Sequence, residues 1–279
     1  MKKINFIFFL ALICLTFVSS FAQTNKTDEK AEAVIKKAVE NLGGDKYLQV
    51  KSQIGRGKFH TLRDGAVLSY QSFVDVIVYP DKERTEFKLT GIVSVPGKEG
   101  VDYKISGVKN VQTNSGDTGW YYDGAAQTVN EQTKEQVDNF KRGMRTSIDY
   151  LLRGYWRGKA DLIYVGKRLA GIGKRNEVVK LVFAEGFAVE FEFTATDLMP
   201  VKALYKRPVP DKDDVKEEDR YAQFVDVQGI KAPFIVDHFT NGVQTSRINY
   251  ETMEFNKAIP DSIFSKPTSA KELKKDLKL

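Results

Sequence analysis

Apolar and polar residues alternate with a period of two through most of this chain, from residue 52 to residue 255. The clearest example is the stretch 187–194. Its apolar members stand at every second position: Phe187, Val189, Phe191 and Phe193. Because successive side chains of a strand point to opposite faces, this pattern predicts a sheet that is apolar on one face and solvated on the other.

Turn signals divide the alternating region into consecutive antiparallel strands. Asp64-Gly65 and Pro80-Asp81 separate the first three. Predicted strands cover residues 52–62, 67–79, 83–89, 101–113, 119–122, 162–169, 178–184, 187–194, 201–207, 221–227, 234–240 and 245–255. A twisted sheet of this width curls. We therefore predict a mainly β fold in one domain, residues 23–279, with a single antiparallel curved sheet of about ten strands forming a half-barrel or incomplete barrel.

Two helices are predicted to cap this sheet. Residues 27–42 form an amphipathic helix with Thr27 as its N-cap. A central helix begins with the capping-box pair Thr133 and Gln136. Its apolar stripe continues to residue 152 and consists of Val137, Phe140, Met144, Ile148, Leu151 and Leu152.

The first 22 residues predict export. Lys2 and Lys3 precede an apolar run, and Ser20 and Ala22 occupy the positions that a signal peptidase recognises. A membrane anchor is the alternative, but the run is shorter than the ~20 residues that a spanning helix needs. Cleavage after Ala22 would remove Cys14, the only cysteine, so no disulfide or thiolate is expected in the exported domain. We predict a periplasmic protein.

Charge and motifs argue against several classes of function. The net charge is +6, but the charged residues are interleaved rather than clustered, so nucleic-acid binding is not expected. His60 and His238 lie singly in predicted strands, and Asp237 next to His238 would point to the opposite face. No metalloprotease or nucleophile-elbow motif is present. The sequence predicts no catalytic residues, no metal site and no cofactor.

Two other segments stand apart from the strand pattern. Residues 207–220 are charged, flanked by proline and poor in apolar residues, which predicts an exposed loop or a long hairpin tip. Residues 270–279 form a basic tail, for which a frayed helix is predicted.

Three motifs resemble the LolA/LolB-like family of outer-membrane lipoprotein-sorting proteins. The first helix ends in Leu42-Gly43-Gly44, and residues 119–124 read GWYYDG before the central helix. The third motif is a closing pattern of Asn256, Ile259, Pro260, Asp261, Phe264 and Pro267. The resemblance implies an incomplete β-barrel whose open side is capped by helices and which encloses an apolar cavity for lipid chains, without catalysis or cofactor.

That resemblance also implies candidate ligand-contacting residues. On the sheet they are Trp120, Tyr122, Leu181, Phe183, Phe191 and Phe193, and on the covering helix they are Met144, Ile148 and Leu151. The chain has 18 Phe, 12 Tyr and 2 Trp, enough to line a cavity or to fill a large core. Two hypotheses therefore stand at this point, an empty interior that binds ligand and a packed one that does not.

The first hypothesis for function is a non-enzymatic exported carrier of lipoprotein or lipid acyl chains. Its partners would be those acyl chains and the membranes or transport-system components of the cell envelope, and we expect a monomer. The alternative is a structural or interaction module of the envelope with a filled β core and no ligand.

Overall fold

The computed structural model describes residues 25–94, 102–209, 211–274, 277 and 279. The predicted signal peptide and Cys14 lie outside the described residues. Within the described ranges, no helix is long and apolar enough to cross a membrane.

Thirteen strands in this part of the chain form one antiparallel sheet. They are β1 (Ser52–Arg63), β2 (Ala66–Val78), β3 (Lys82–Ser94), β4 (Asp102–Ser115), β5 (Thr118–Asp123), β6 (Thr128–Glu131), β7 (Ala160–Gly171), β8 (Lys174–Phe183), β9 (Ala188–Thr194), β10 (Pro200–Arg207), β11 (Val215–Val227), β12 (Ile230–Thr240) and β13 (Val243–Phe255). Their order across the sheet is β6-β5-β4-β3-β2-β1-β13-β12-β11-β10-β9-β8-β7. All neighbours follow one another in the chain except β1 and β13, where Gln53 lies opposite Phe255.

The sheet is curved and does not close, so β6 and β7 form its two edges. This confirms the predicted mainly β half-barrel, although with thirteen strands rather than about ten. The sequence patterns did not predict β6, whose four residues TVNE include a single apolar side chain. Such a segment is too short to show an alternating pattern.

The N-terminal helix α1 (Glu29–Leu42) is followed by the short helix α2 (Asp45–Leu48). All six residues of the predicted apolar stripe of α1 are buried: Ala31, Val34, Ile35, Ala38, Val39 and Leu42. Its N-cap is Asp28 rather than Thr27, and the Asp28 carboxylate accepts the backbone N–H of Lys30 at 2.8 Å. Gly43 ends α1 with φ +129°, and a Cβ there would lie 2.5 Å from a backbone oxygen.

The predicted central helix is two helices, α3 (Lys134–Thr146) and α4 (Ile148–Leu152). The capping box of Thr133 and Gln136 is confirmed. Ser147 interrupts the helix because its backbone is extended, and its hydroxyl accepts the backbone N–H of Tyr150 at 3.2 Å. Serine favours such cap positions because its side chain satisfies a free helix donor.

Helices α1 and α4 pack on one face of the sheet, which we call the inner face. The main core lies between them and β7–β10, with Leu162, Leu181 and Phe191 among its fully buried members. The opposite, outer face of β1–β5 is covered by the C-terminal residues. Phe264 packs there against Ile54 and Val76.

The charged segment 207–220 is only partly the exposed loop that was predicted. Strand β11 begins at Val215, and Glu217 and Glu218 are buried. Arg207 Nε donates to Glu217 Oε1 at 2.9 Å, so a cation on the neighbouring strand compensates this carboxylate. Cross-strand pairing of opposite charges allows a charged sequence to form a strand.

In the C-terminal tail, for which a frayed helix is predicted over residues 270–279, Ala270–Lys274 form a 3₁₀ helix, and residues 275, 276 and 278 lie outside the described residues. Its Leu273 is buried against Val111 and Trp120 on the outer face. The tail therefore contributes to a second, smaller core.

Candidate functional site

Helix α3 lies across the opening between the two ends of the sheet. The chain leaves the sheet at edge strand β6 and re-enters it at edge strand β7. Lys141 pairs with Asp117 in the turn after β4, and Arg145 pairs with Glu185 in the turn after β8. Surface ion pairs of this kind contribute at most about 1 kcal/mol each, so α3 is held to both turns by weak contacts.

A cavity of about 450 Å³, the gap cavity, lies beneath α3 at this opening. Aromatic and apolar side chains form its walls: Phe140, Met144, Tyr150, Tyr155 and Phe183. The Tyr150 ring lies 6.2 Å from both the Tyr155 and the Phe183 rings. Charged residues line the same cavity, namely Asp81, Asp117, Lys141, Arg145, Lys159 and Glu185. Ligand pockets commonly combine apolar walls with polar groups in this way.

Five aromatic rings form a continuous row on the inner face, which we call the ring row. In order of contact, its rings are Phe59 on β1, Phe87 on β3, Phe73 on β2, Tyr250 on β13 and Phe234 on β12. Consecutive ring centroids in this order are 5.4 to 6.5 Å apart. All except Phe73 keep accessible surface. Since strands are about 4.8 Å apart, the row extends roughly 19 Å across the sheet.

Gly55 makes room for the ring row. A Cβ at residue 55 would lie 2.4 Å from Tyr250 Cε1, so a side chain there would displace the ring. The same strand carries Gly57, where a Cβ would lie 2.0 Å from the Asn249 carbonyl oxygen at a β-bulge. Gly55 therefore leaves room for the Tyr250 ring over β1, and Gly57 leaves room for the close approach of the β13 backbone.

A polar cluster lies on the inner face beneath the other side of α3. His238 Nδ1 is 2.7 Å from Asp219 Oδ1, and His238 Nε2 is 3.2 Å from Glu217 Oε2. The hydrogen bond to Asp219 and the charges of both carboxylates raise the pKa of His238, against the opposing effect of burial. Together with Arg142 and Tyr205, His238 lines a cavity of about 1130 Å³.

Asp149 fixes helix α4 to the rest of the molecule. Its carboxylate accepts hydrogen bonds from the hydroxyls of Tyr47 at 2.7 Å and Tyr79 at 3.1 Å, and from Arg153 Nε at 2.9 Å. The Arg153 guanidinium stacks on both tyrosine rings, 4.2 and 4.5 Å from their centroids. Burial raises the pKa of both tyrosines, which therefore stay neutral donors. This network of hydrogen bonds attaches α4 to the rest of the molecule.

Two carboxyl groups meet on the inner face beside the ring row. The Thr85 hydroxyl lies 2.9 Å from Asp75 Oδ1 and 3.1 Å from Glu83 Oε1. A hydroxyl has one proton to donate, so the two carboxyl groups share a single donor. Burial raises the pKa of both groups, and for Asp75 the charge of Glu83 adds to the increase.

Neither histidine belongs to a metal or triad arrangement. Among the described residues, no group of three or more His, Cys, Asp or Glu side chains is arranged to hold a metal ion. Asp237 points to the opposite face from His238, as expected, and pairs with Arg247 at 2.5 Å.

Solved structures share this architecture. A domain from Vibrio parahaemolyticus that is described as an outer membrane lipoprotein-sorting protein domain aligns with a TM-score of 0.54, at 10% identity, over 88% of this chain and 100% of that one. A LolA superfamily protein from Nitrosomonas europaea aligns with a TM-score of 0.52, at 14% identity, over 85% and 97%. The chain has a LolA/LolB-like fold.

A DUF1329 family protein from Desulfovibrio piger has the same LolA-like architecture, with a TM-score of 0.56 at 13% identity over 84% of this chain and 97% of that one. No family model matches the sequence, and no curated protein matches it. The structural alignments confirm, at the level of the fold, the family resemblance seen in the sequence.

Within this LolA-like fold, two of the nine predicted site residues line the gap cavity, namely Met144 and Phe183. Four others, Leu151, Leu181, Phe191 and Phe193, have no accessible surface and pack in the main core, where Ile148 also lies. That any of them contacts a ligand stays a prediction.

Trp120 and Tyr122 lie on the outer face. Their strand neighbours Thr113 and Val111 point the same way, and Trp120 Nε1 donates to the Phe264 carbonyl at 2.8 Å. Both side chains pack against the C-terminal tail. Trp120 also lines a cavity of about 860 Å³ with Val137 and Lys141 of α3, and Tyr122 lines a cavity of about 450 Å³ with Phe59 and Phe87.

The alternating pattern of the strands does not predict the ring row. Phe59, Phe73 and Phe87 lie on the same face of the consecutive strands β1, β2 and β3. Phe73 and Phe87 are direct cross-strand partners. The signal was the recurrence of Phe at a fixed interval through strands of similar length, which only becomes informative once the turn positions are known.

Proposed function

We propose that this protein is a non-enzymatic carrier that binds acyl chains of lipoproteins or lipids on the inner face of its sheet and releases them in the cell envelope. The observation that carries the proposal is the ring row, an apolar surface inside a LolA-like half-barrel that keeps accessible surface. Burying one methylene of an acyl chain contributes about 0.8 kcal/mol, so such a surface can hold a chain by contact alone.

The gap cavity supports the same proposal. Its volume of about 450 Å³ falls in the usual range of about 300–1,000 Å³ for small-molecule pockets. Because α3 is joined to the sheet by surface ion pairs, it can move aside at low energetic cost. Export to the periplasm, predicted from residues 1–22, would bring the carrier to a compartment where acyl chains have to cross water.

The test compares three substitutions to aspartate in the full-length protein, purified without detergent after export. Met144→Asp places a charge in the gap cavity and should reduce binding of a fluorescent fatty-acid probe at least about tenfold, with folding retained. Leu169→Asp is the matched control, because Leu169 is 71% exposed on a hairpin away from the cavity. Phe191→Asp puts the charge in the main core and should prevent folding.

Mass spectrometry of an organic extract of the same preparation provides the second measurement. Stoichiometric acylated molecules support the carrier. A lipid-free extract, together with probe binding that Met144→Asp leaves unchanged, would instead support the filled structural module.

A further inference from the structure

A second cavity of about 450 Å³ opens on the inner face at the β3 end of the ring row, and we call it the amide pocket. Three cross-strand pairs form its wall, and each pair sets an aromatic ring opposite a side-chain amide. Phe59 faces Gln71, Phe87 faces Asn110, and Tyr121 faces Gln112. Directly opposite side chains are about 5 Å apart, so each amide lies beside a ring.

The amides retain free hydrogen-bonding capacity. Within the part of the chain that the structure describes, the side chains of Gln71 and Gln112 make no hydrogen bond, and neither does the Tyr121 hydroxyl. Asn110 uses only its oxygen, which accepts the Gly124 backbone N–H at 3.0 Å. By contrast, Gln132 and Gln136 at the pocket edge are engaged with Asn114 and Thr133.

The charge of the pocket restricts its ligand. None of the described residues that line it is Lys or Arg. Its one charged member is Asp123, whose carboxylate accepts the backbone N–H groups of Ala125 and Ala126. Phosphate and carboxylate groups are bound in proteins by cations or clustered backbone donors, so this pocket does not suit them.

An amide both donates and accepts hydrogen bonds, as does a hydroxyl. Aromatic rings offer an apolar surface to C–H groups. Amides alternating with rings therefore match a group that is uncharged, carries several hydroxyls and has an apolar side. Phe59 and Phe87 belong both to this pocket and to the ring row, so a ligand in the pocket continues into the acyl surface.

We propose that the amide pocket binds the uncharged, hydroxyl-rich headgroup, such as a sugar ring, of a lipid whose acyl chains lie along the ring row. This rests on the proposed carrier function and specifies its ligand class.

The test measures displacement of a fluorescent fatty-acid probe from the full-length protein by three lipids with identical acyl chains. They are a monohexosyl diacylglycerol, phosphatidylglycerol and diacylglycerol. The hexosyl lipid should bind about tenfold tighter than the other two, the effect of one or two added hydrogen bonds. Equal affinities, or tighter binding of phosphatidylglycerol, would overturn the headgroup proposal but leave the carrier intact.

Variants test whether the amide pocket causes the preference for the hexosyl lipid. Gln71→Ala combined with Gln112→Ala should remove the preference for the hexosyl lipid and leave diacylglycerol affinity unchanged. Gln49→Ala is the matched control, since Gln49 is exposed on the C-terminal side of α2 and does not line the pocket. Retention of the preference in the double variant, with an unchanged circular dichroism melt, contradicts the proposal. If no lipid displaces the probe, the carrier function itself is wrong and the headgroup site falls with it.

Discussion

At the residue scale, the arrangement of the aromatic rings on the inner face depends on a glycine, which has no side chain, as well as on the rings themselves. Gly55 lies beneath Tyr250, and the ring of Tyr250 contacts Phe73 on one side and Phe234 on the other. A ring on a sheet normally rests on a neighbouring side chain, whereas the half-buried Tyr250 ring lies over Gly55 of β1. A side chain at residue 55 would therefore displace a ring of the ring row.

Gly55→Ala should lower the free energy of unfolding by about 1–3 kcal/mol, because the added methyl group would lie 2.4 Å from Tyr250 Cε1 and the ring is held by its neighbours. Urea denaturation measures the change. The matched control is Gly143→Ala in α3, where no atom lies within 4 Å of the added Cβ. That change should stabilise by about 0.5–1 kcal/mol through helix propensity. A Gly55→Ala protein as stable as the original would show that Tyr250 does not rest on β1.

At the scale of elements, α3 and α4 differ in how they are attached, although they are neighbours in the chain. Helix α4 is tied by Asp149 and Arg153 to buried tyrosines. Helix α3 has a buried Val137 and Thr146, but its links to the sheet turns are the two surface ion pairs. Ser147 separates the two helices, so α3 and α4 are attached to the rest of the molecule through different contacts.

Reversing the charges with Lys141→Glu and Arg145→Glu should loosen α3 selectively, because both residues would then repel Asp117 and Glu185. Amide hydrogen exchange in α3 should become about tenfold faster or more, since two surface ion pairs account for up to about 2 kcal/mol. Exchange in α4 should stay the same. Arg142→Glu serves as the control, because it changes the charge of the same helix without touching either turn. Unchanged exchange in the double variant would mean that packing, not charge, holds α3.

The same two helices show which features a sequence can predict. The stripe of α1 and the capping box of α3 follow from local spacing, and both are confirmed. The break at Ser147 was missed because a single serine is compatible with a continuous helix until its backbone is seen. A strand pattern shows which residues share a face but not which face the helices cover, so it does not predict that Trp120 packs against the C-terminal tail. The C-terminal tail carries too few apolar residues for its position on the outer face, against Trp120, to be predicted from the sequence.

At the scale of the whole molecule, the single sheet carries apolar cores on both faces, and in the described residues these are a main core on the inner face and two smaller clusters on the outer face. Trp156 lies in the inner core, where its Nε1 donates to the Leu151 carbonyl at 3.0 Å, and Trp120 lies in one of the outer clusters. The two tryptophans of the chain therefore report on opposite sides of one sheet. Because the same strands support both cores, loss of either should disrupt the other.

Trp120→Phe and Trp156→Phe each leave one tryptophan as a fluorescent probe. In each variant, the urea midpoint from fluorescence should coincide with the midpoint from circular dichroism, as expected for one cooperative unit. Comparing two signals within one variant removes the effect of the substitution on overall stability. If fluorescence of the Trp120 probe changes at lower urea than the dichroism signal, the outer core unfolds separately.

The pairing of β1 with β13 has a consequence for how the chain reaches its native state. Residue 53 lies opposite residue 255, so the centre of the sheet forms only after nearly the whole chain has been synthesised. Until then β1 is an unpaired edge with free backbone groups, which can pair with another chain. Contacts so distant in sequence also slow folding. We therefore expect newly made chains to depend on protection from aggregation until their last strand is in place.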